Sequence, residues 1–122
     1  MTSRTDLMIA RLKELQASTA DIEASAVVSV DGLMIASSLP ADVEEDRVSA
    51  MSAAMLSLGD RISTEFRRGA LEQVFIRGKD GYVVLMSVGE NAMLTALARG
   101  EATPGLLFLD MKRAADDLAR LI

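Results

Sequence analysis

The sequence predicts an α/β fold, a single five-stranded antiparallel sheet sandwiched by helices in the order α-β-β-α-β-β-β-α. Three observations lead there. Half of the 122 residues are apolar, which suits one domain over residues 1–122 burying roughly two-thirds of the surface its unfolded chain would expose. Asp31-Gly32 and Gly78-Lys79-Asp80-Gly81 interrupt aliphatic and β-branched runs in the way hairpin turns do. Both prolines, Pro40 and Pro104, stand just where a helical pattern is about to begin.

The first helix is expected from about Thr5 to Ala17. Ser3 and Asp6 have capping-box spacing, and Met8, Leu12 and Leu15 recur at helical intervals. Ala26 to Ser37 (AVVSVDGLMIAS) then reads as a hairpin closed by a type I′ turn at Asp31-Gly32. After a loop from Ser38 to Val43, Asp42 and Glu45 suggest a second capping box, and Glu44, Glu45 and Asp46 suit the positive end of a helix. That middle helix should run to about Arg68 and stop at Gly69 in a left-handed cap.

Three strands follow, Leu71 to Arg77, Tyr82 to Val88 and Ala92 to Arg99, joined by GKDG and by Gly89-Glu90-Asn91. Alternation sends Tyr82, Val84 and Met86 to one face and Val83 and Leu85 to the other, so both faces of the sheet need cover. Thr103 as N-cap and Pro104 at the first helical position open the last helix, with Leu107, Met111, Ala114, Leu118 and Leu121 on one side. On its outer side Lys112 to Asp116, Arg113 to Asp117 and Asp116 to Arg120 are spaced as i,i+4 ion pairs.

Composition narrows the chemistry. Thirteen Lys and Arg against 18 Asp and Glu leave a net charge of −5, so the basic excess that draws nucleic acid or anionic membranes is missing and neither is an expected partner. With no Cys and no His, the chain has neither a thiolate nucleophile nor the usual general base and metal ligand. Ser29, Ser37, Ser52, Ser57 and Ser87 lack an activating imidazole, and Lys79 lies in an exposed turn. GKDG lacks the spacing and the following helix of a phosphate loop. No catalytic, cofactor or metal site is expected. The segment from Met1 to Arg11 has no apolar run suited to a signal peptide, and a cytoplasmic location is expected.

The middle helix carries the most information. At 100° per residue, Val48, Met51, Met55, Leu58, Ile62 and Phe66 form one stripe, expected to lie on the sheet. Opposite stand Ala50, Ala53, Ala54, Ser57 and Thr64, broken by Arg61 and accompanied by Leu56. Such a face either admits a second helix at close range, most simply that of another copy, or faces water, where alanine is a good helix former. The strand Leu71 to Arg77, apolar at its centre and free of proline, would invite pairing if it were a bare sheet edge. On the reading with a second copy, glutamate at Ala54 or Leu56 would weaken self-association by about 2 kcal/mol or more.

The element order, together with VVSVDGLMIAS, MSAAMLSLGDRIS, LEQVFIRGKDGYVVLMSVGENAMLTALAR and DMKRAADDLARLI, resembles the roadblock family (dynein light chain roadblock type) from about Asp6 to Leu121. The resemblance implies a profilin-like sandwich and a homodimer or heterodimer in which middle helices meet and sheets join edge to edge. It further implies a regulator or platform for Ras-like GTPases, some members acting as GTPase-activating partners. By pattern match the dimer surface would comprise Ala50, Met51, Ala54, Leu56, Ser57, Leu58 and Arg61 with Leu71, Val74 and Ile76. Arg47, Ser57, Asp60, Arg61 and Thr64 are the candidates for contact with a GTPase. Two other readings stay open: a scaffold or adaptor subunit of a motor or signalling complex with no effect on hydrolysis, and a small-ligand sensor whose eight Met would line an adaptable pocket.

Overall fold

A computed structural model describes residues 2–122; Met1, the first residue of the segment to Arg11 considered above, lies outside them. The elements are α1 (Arg4–Ser18), β1 (Ile22–Ser29), β2 (Met34–Ser38), α2 (Glu45–Glu65), β3 (Gln73–Gly78), β4 (Gly81–Val88), β5 (Ala92–Arg99) and α3 (Pro104–Ala119). The five strands form one antiparallel sheet in the order β2-β1-β5-β4-β3, with β2 and β3 as its edges. This is the expected roadblock and profilin-like architecture. No helix among the described residues is long and apolar enough to cross a membrane.

α1 and α3 share one face of the sheet. Met8, Leu12 and Leu15 from α1 and Leu107, Met111 and Leu118 from α3 close over Val27, Val84, Val88, Leu94 and Ala96. Ser25, in the middle of this face, is buried, and its hydroxyl donates to Gln16 Oε1 at 2.6 Å. A buried hydroxyl left unpaired would cost about 1–3 kcal/mol, so this bond is what makes serine tolerable there. The opposite face holds a smaller cluster, Ala26, Val28, Leu85 and Met93, and α2 lies across it.

Several local expectations need correction. β1 starts at Ile22, not Ala26, because Glu23 and Ser25 break the apolar run in sequence while their strand still pairs with β5. The first hairpin is not closed by a type I′ turn, since of Asp31 and Gly32 only the glycine has positive φ, +88°. The Ser29 carbonyl accepts from Gly32 N–H at 3.0 Å and Ser29 N–H donates to Leu33 O at 2.8 Å. That is a three-residue loop in which a turn is followed by a left-handed glycine.

The Asp42–Glu45 capping box is also absent: α2 begins behind Glu44 with no side-chain cap, and Glu45 instead accepts from Ser37 Oγ at 2.5 Å. At its other end α2 stops at Glu65. The left-handed capping residue is Arg67 (φ 58°), whose N–H donates to Thr64 O at 3.0 Å while Arg68 N–H donates to Ser63 O at 2.7 Å. This is a Schellman cap closed by arginine, two residues before the expected glycine.

Of the three ion pairs expected on α3, one forms. Lys112 and Asp116 pair at 3.0 Å, but Asp117 turns to Arg11 on α1 at 2.8 Å and to Arg120 at 3.0 Å, because packing brings α1 within its reach. The hydrogen bond from Arg11, with the charges of Arg11 and Arg120, holds the Asp117 carboxyl below its ordinary value despite some desolvation. A depressed folded-state pKa stabilises the fold above the unfolded value and ceases to do so as pH falls through the folded one. Asp117→Asn should therefore lower stability at neutral pH and flatten the loss of stability below about pH 4. Urea titrations from pH 7 to pH 2.5 would show it; parallel curves for the two proteins would contradict the tie.

Candidate interaction surface

α2 is seated on the sheet by small residues. Only Ser49 and Ser52 are buried along the helix. Ser52 Oγ shares a hydrogen bond of 2.9 Å with Thr95 Oγ1 of β5, so the two buried hydroxyls satisfy each other. Gly59 lies so near Leu71 and Val74 that a Cβ would stand 3.0 and 3.1 Å from their side chains. Val48, Met55 and Leu56, partly buried, pack on the smaller cluster.

Four of the six apolar residues expected on the sheet are consequently turned outward, while Val48 and Met55 stay against it. Met51 and Phe66 are 66% exposed, Ile62 50% and Leu58 49%. Relative to the expected stripe, the covered side of α2 is rotated by roughly 70° at 100° per residue. Apolar periodicity locates what is apolar, not what is covered. The physical reason is the sheet face itself, already filled by Val28, Leu85 and Met93, which leaves room at full depth for hydroxyls and a glycine and only partly covers Val48, Met55 and Leu56.

The outward stripe continues onto the sheet. Between α2 and β3 opens an apolar groove of about 260 Å³, lined by Arg47, Met51, Met55, Ile76, Val83 and Leu97, with Ser52 and Thr95 at its base. β3 is paired on one side only, with Val74 opposite Leu85 and Ile76 opposite Val83. On the other face of that edge, Phe75 stacks on Tyr82 at 5.2 Å and meets Phe108 edge-on at 5.2 Å. Ile76 and Phe75 are each 38% exposed. An unpaired edge with apolar side chains on both faces is a core that stops abruptly at solvent.

Of the residues inferred for self-association, Ala50, Met51, Ala54, Ser57, Leu58 and Arg61 are exposed on α2 and Ile76 is exposed on β3. Leu56, Leu71 and Val74 are partly buried within the chain: Leu56 and Val74 pack on the smaller cluster and Leu71 lies against Gly59. Leu56→Glu would consequently disturb the fold before it reported on association. Arg47, Ser57, Asp60, Arg61 and Thr64 are all exposed. Arg47 borders the groove, whereas Ser57 and Asp60 line a separate cleft of about 320 Å³ on the other flank of α2, with Leu71, Ser87 and Glu90.

The sequence assigned Ile62 and Phe66 to the sheet and named neither Val83 nor Leu97 for the surface. The recurrence of Ser49, Ser52, Gly59 and Ser63 along one side of the helix was the signal that could have found the seated face.

The profile of the family described as the Roadblock/LC7 domain matches residues 8–98. A relative, uncharacterized protein MJ0310 of Methanocaldococcus jannaschii, is 39% identical over 100 residues, 82% of this chain and 87% of that one. Among solved structures, MglB with tetrameric arrangement has a TM-score of 0.90 at 18% identity, covering 99% of this chain and 91% of that one. Schizosaccharomyces pombe profilin has a TM-score of 0.67 at 15% identity, covering 93% and 98%.

Proposed function

Because this chain belongs to the Roadblock/LC7 family, we propose that it works, as one module over residues 1–122, as a non-enzymatic partner that self-associates and regulates a small Ras-like GTPase. The observation that carries the reading is the set of large apolar side chains exposed in the isolated chain, Met51, Leu58, Ile62 and Phe66 on α2 and Ile76 on β3, with Phe75 exposed on the other face of the same edge. Surfaces of this kind mark protein contacts more often than bare solvent boundary. A second copy would cover the stripe and the β3 edge together.

Ser57, Asp60, Arg61 and Thr64 lie on the side of α2 turned away from the stripe, by helical spacing, and stay open when a second copy occupies it. They are the residues proposed to meet the GTPase. Arg47, beside the groove, falls to the self-contact instead. In this arrangement the chain would act on the active site of the GTPase and supply no phosphate loop of its own.

The test is retention of lysate proteins on the tagged chain with GTP analogue, GDP or no nucleotide, followed by hydrolysis assays on the retained GTPase. A small GTPase held better in one nucleotide state, with a changed rate of GTP hydrolysis, is the expected result. Equal retention in all three conditions would overturn it, and a large nucleotide-independent assembly would point to a scaffold.

A further inference from the structure

Arg67 holds a backbone conformation that its own side chain makes costly. Among the described residues it alone, apart from glycines, has positive φ, 58°. A β-carbon there crowds the following carbonyl oxygen, a cost that glycine does not carry. Three hydrogen bonds enforce the conformation. Arg67 N–H donates to Thr64 O at 3.0 Å, Arg68 N–H donates to Ser63 O at 2.7 Å, and Ser63 Oγ donates to Gly69 O at 2.6 Å. Glycine at position 67 would close the same cap without strain. Strain that the surroundings hold in place points to a use for the side chain that causes it.

Nothing within the chain supplies that use. Arg67 is exposed, as are Arg61 and Arg68. None of the three forms an ion pair among the described residues, and even Glu65, four positions after Arg61, stays out of pairing distance. A cation just past the last turn of a helix gains from the helix dipole, but Arg68 provides one from an ordinary backbone conformation. The dipole therefore does not explain arginine at position 67.

We propose that Arg67, with Arg61 and Arg68 beside it, anchors a carboxylate on the surface of the GTPase partner. The inference rests on the GTPase reading above and adds a specificity-determining residue to it. Because the Thr64 carbonyl accepts from Arg67 N–H, Arg67 adjoins the face already assigned to Ser57, Asp60, Arg61 and Thr64. A guanidinium holds a carboxylate through two parallel N–H···O bonds, which fixes orientation as well as attraction. Over residues 60–72 the three arginines alternate with Asp60, Glu65 and Glu72. Such a balanced patch suits separate carboxylates on a mixed protein surface better than a dense polyanion.

Arg67→Gly removes the strain and the guanidinium together, and the two consequences run in opposite directions. The urea midpoint should rise, while affinity for the GTPase retained in the assay above should fall about 10-fold or more. The wild-type association rate should drop as salt increases from about 50 to 300 mM, and Arg67→Gly should flatten that dependence. Arg67→Lys keeps the charge but not the fork and should fall between the two. Arg113→Gln, which removes an exposed cation on α3, should bind as the wild type does.

A lower urea midpoint for Arg67→Gly would mean that the arginine serves the cap, and unchanged affinity with unchanged salt dependence would mean that the partner does not touch it. Either result overturns the assignment. A wild-type chain that retains no GTPase in any nucleotide state removes the GTPase reading itself, a failure visible before any variant is made.

Discussion

Glutamate in place of Leu58 is expected to convert the chain into a monomer, raising the dissociation constant at least about 100-fold, roughly 3 kcal/mol. Leu58 is 49% exposed in the isolated chain and belongs to neither core cluster, so a carboxylate there meets water in the monomer and the fold tolerates it. In the associated state the same carboxylate would be buried among methionine side chains with no counter-charge, which is the expensive situation. Analytical ultracentrifugation across a concentration series measures the change. Retention of wild-type association by Leu58→Glu would place the contact elsewhere. The comparison variant is Ala54→Glu: Ala54 is exposed but lies off the stripe, and a smaller loss is expected there.

The second large effect concerns the fold and not the surface. A Cβ at Gly81, the first residue of β4, would lie 2.5 Å from the carbonyl oxygen of Ala98 on β5. That oxygen belongs to a paired backbone, with Tyr82 opposite Ala98 in the ladder, and cannot swing aside as a side-chain end could. Gly81→Ala should therefore destabilise the domain by about 2–3 kcal/mol, at the upper end of overpacking costs, because strand pairing must shift to make room. Gly105 is the control: nothing lies within 4 Å of a Cβ there, and alanine in the first turn of α3 should be neutral or slightly stabilising. Urea midpoints at a fixed protein concentration compare the two. Equal midpoints for both variants would mean that the sheet gives way more easily than the ladder suggests.

The architecture was legible because its signals were local and redundant. Ser3 with Asp6, Pro104, the glycine-bounded turns and the alternation in Tyr82 to Val88 each set a boundary or a face by short-range chemistry. Where the reading failed, the deciding interaction came from a distant segment. Arg11 takes Asp117 from its expected helical partner, and Ser37 occupies the glutamate that would have closed a capping box. The orientation of α2 failed for the same reason: what sits against Ser52 and Gly59 is Thr95, Leu71 and Val74, residues at least 12 positions away along the chain. The family resemblance brought Met51 and Leu58 to the outer surface, where periodicity alone had sent them inward.

That reversed orientation separates two tasks which usually compete for the same side chains. In most amphipathic helices, altering the large apolar row damages the core. Here the helix is anchored by two serines, a glycine and the partly buried Val48, Met55 and Leu56, and Met51, Leu58 and Ile62 belong to neither core cluster. Substitutions along Met51, Leu58 and Ile62 can thus accumulate with little loss of foldability. A gene carrying this domain could duplicate and its copies could diverge in whom they bind, each new specificity being tried on a scaffold already able to fold.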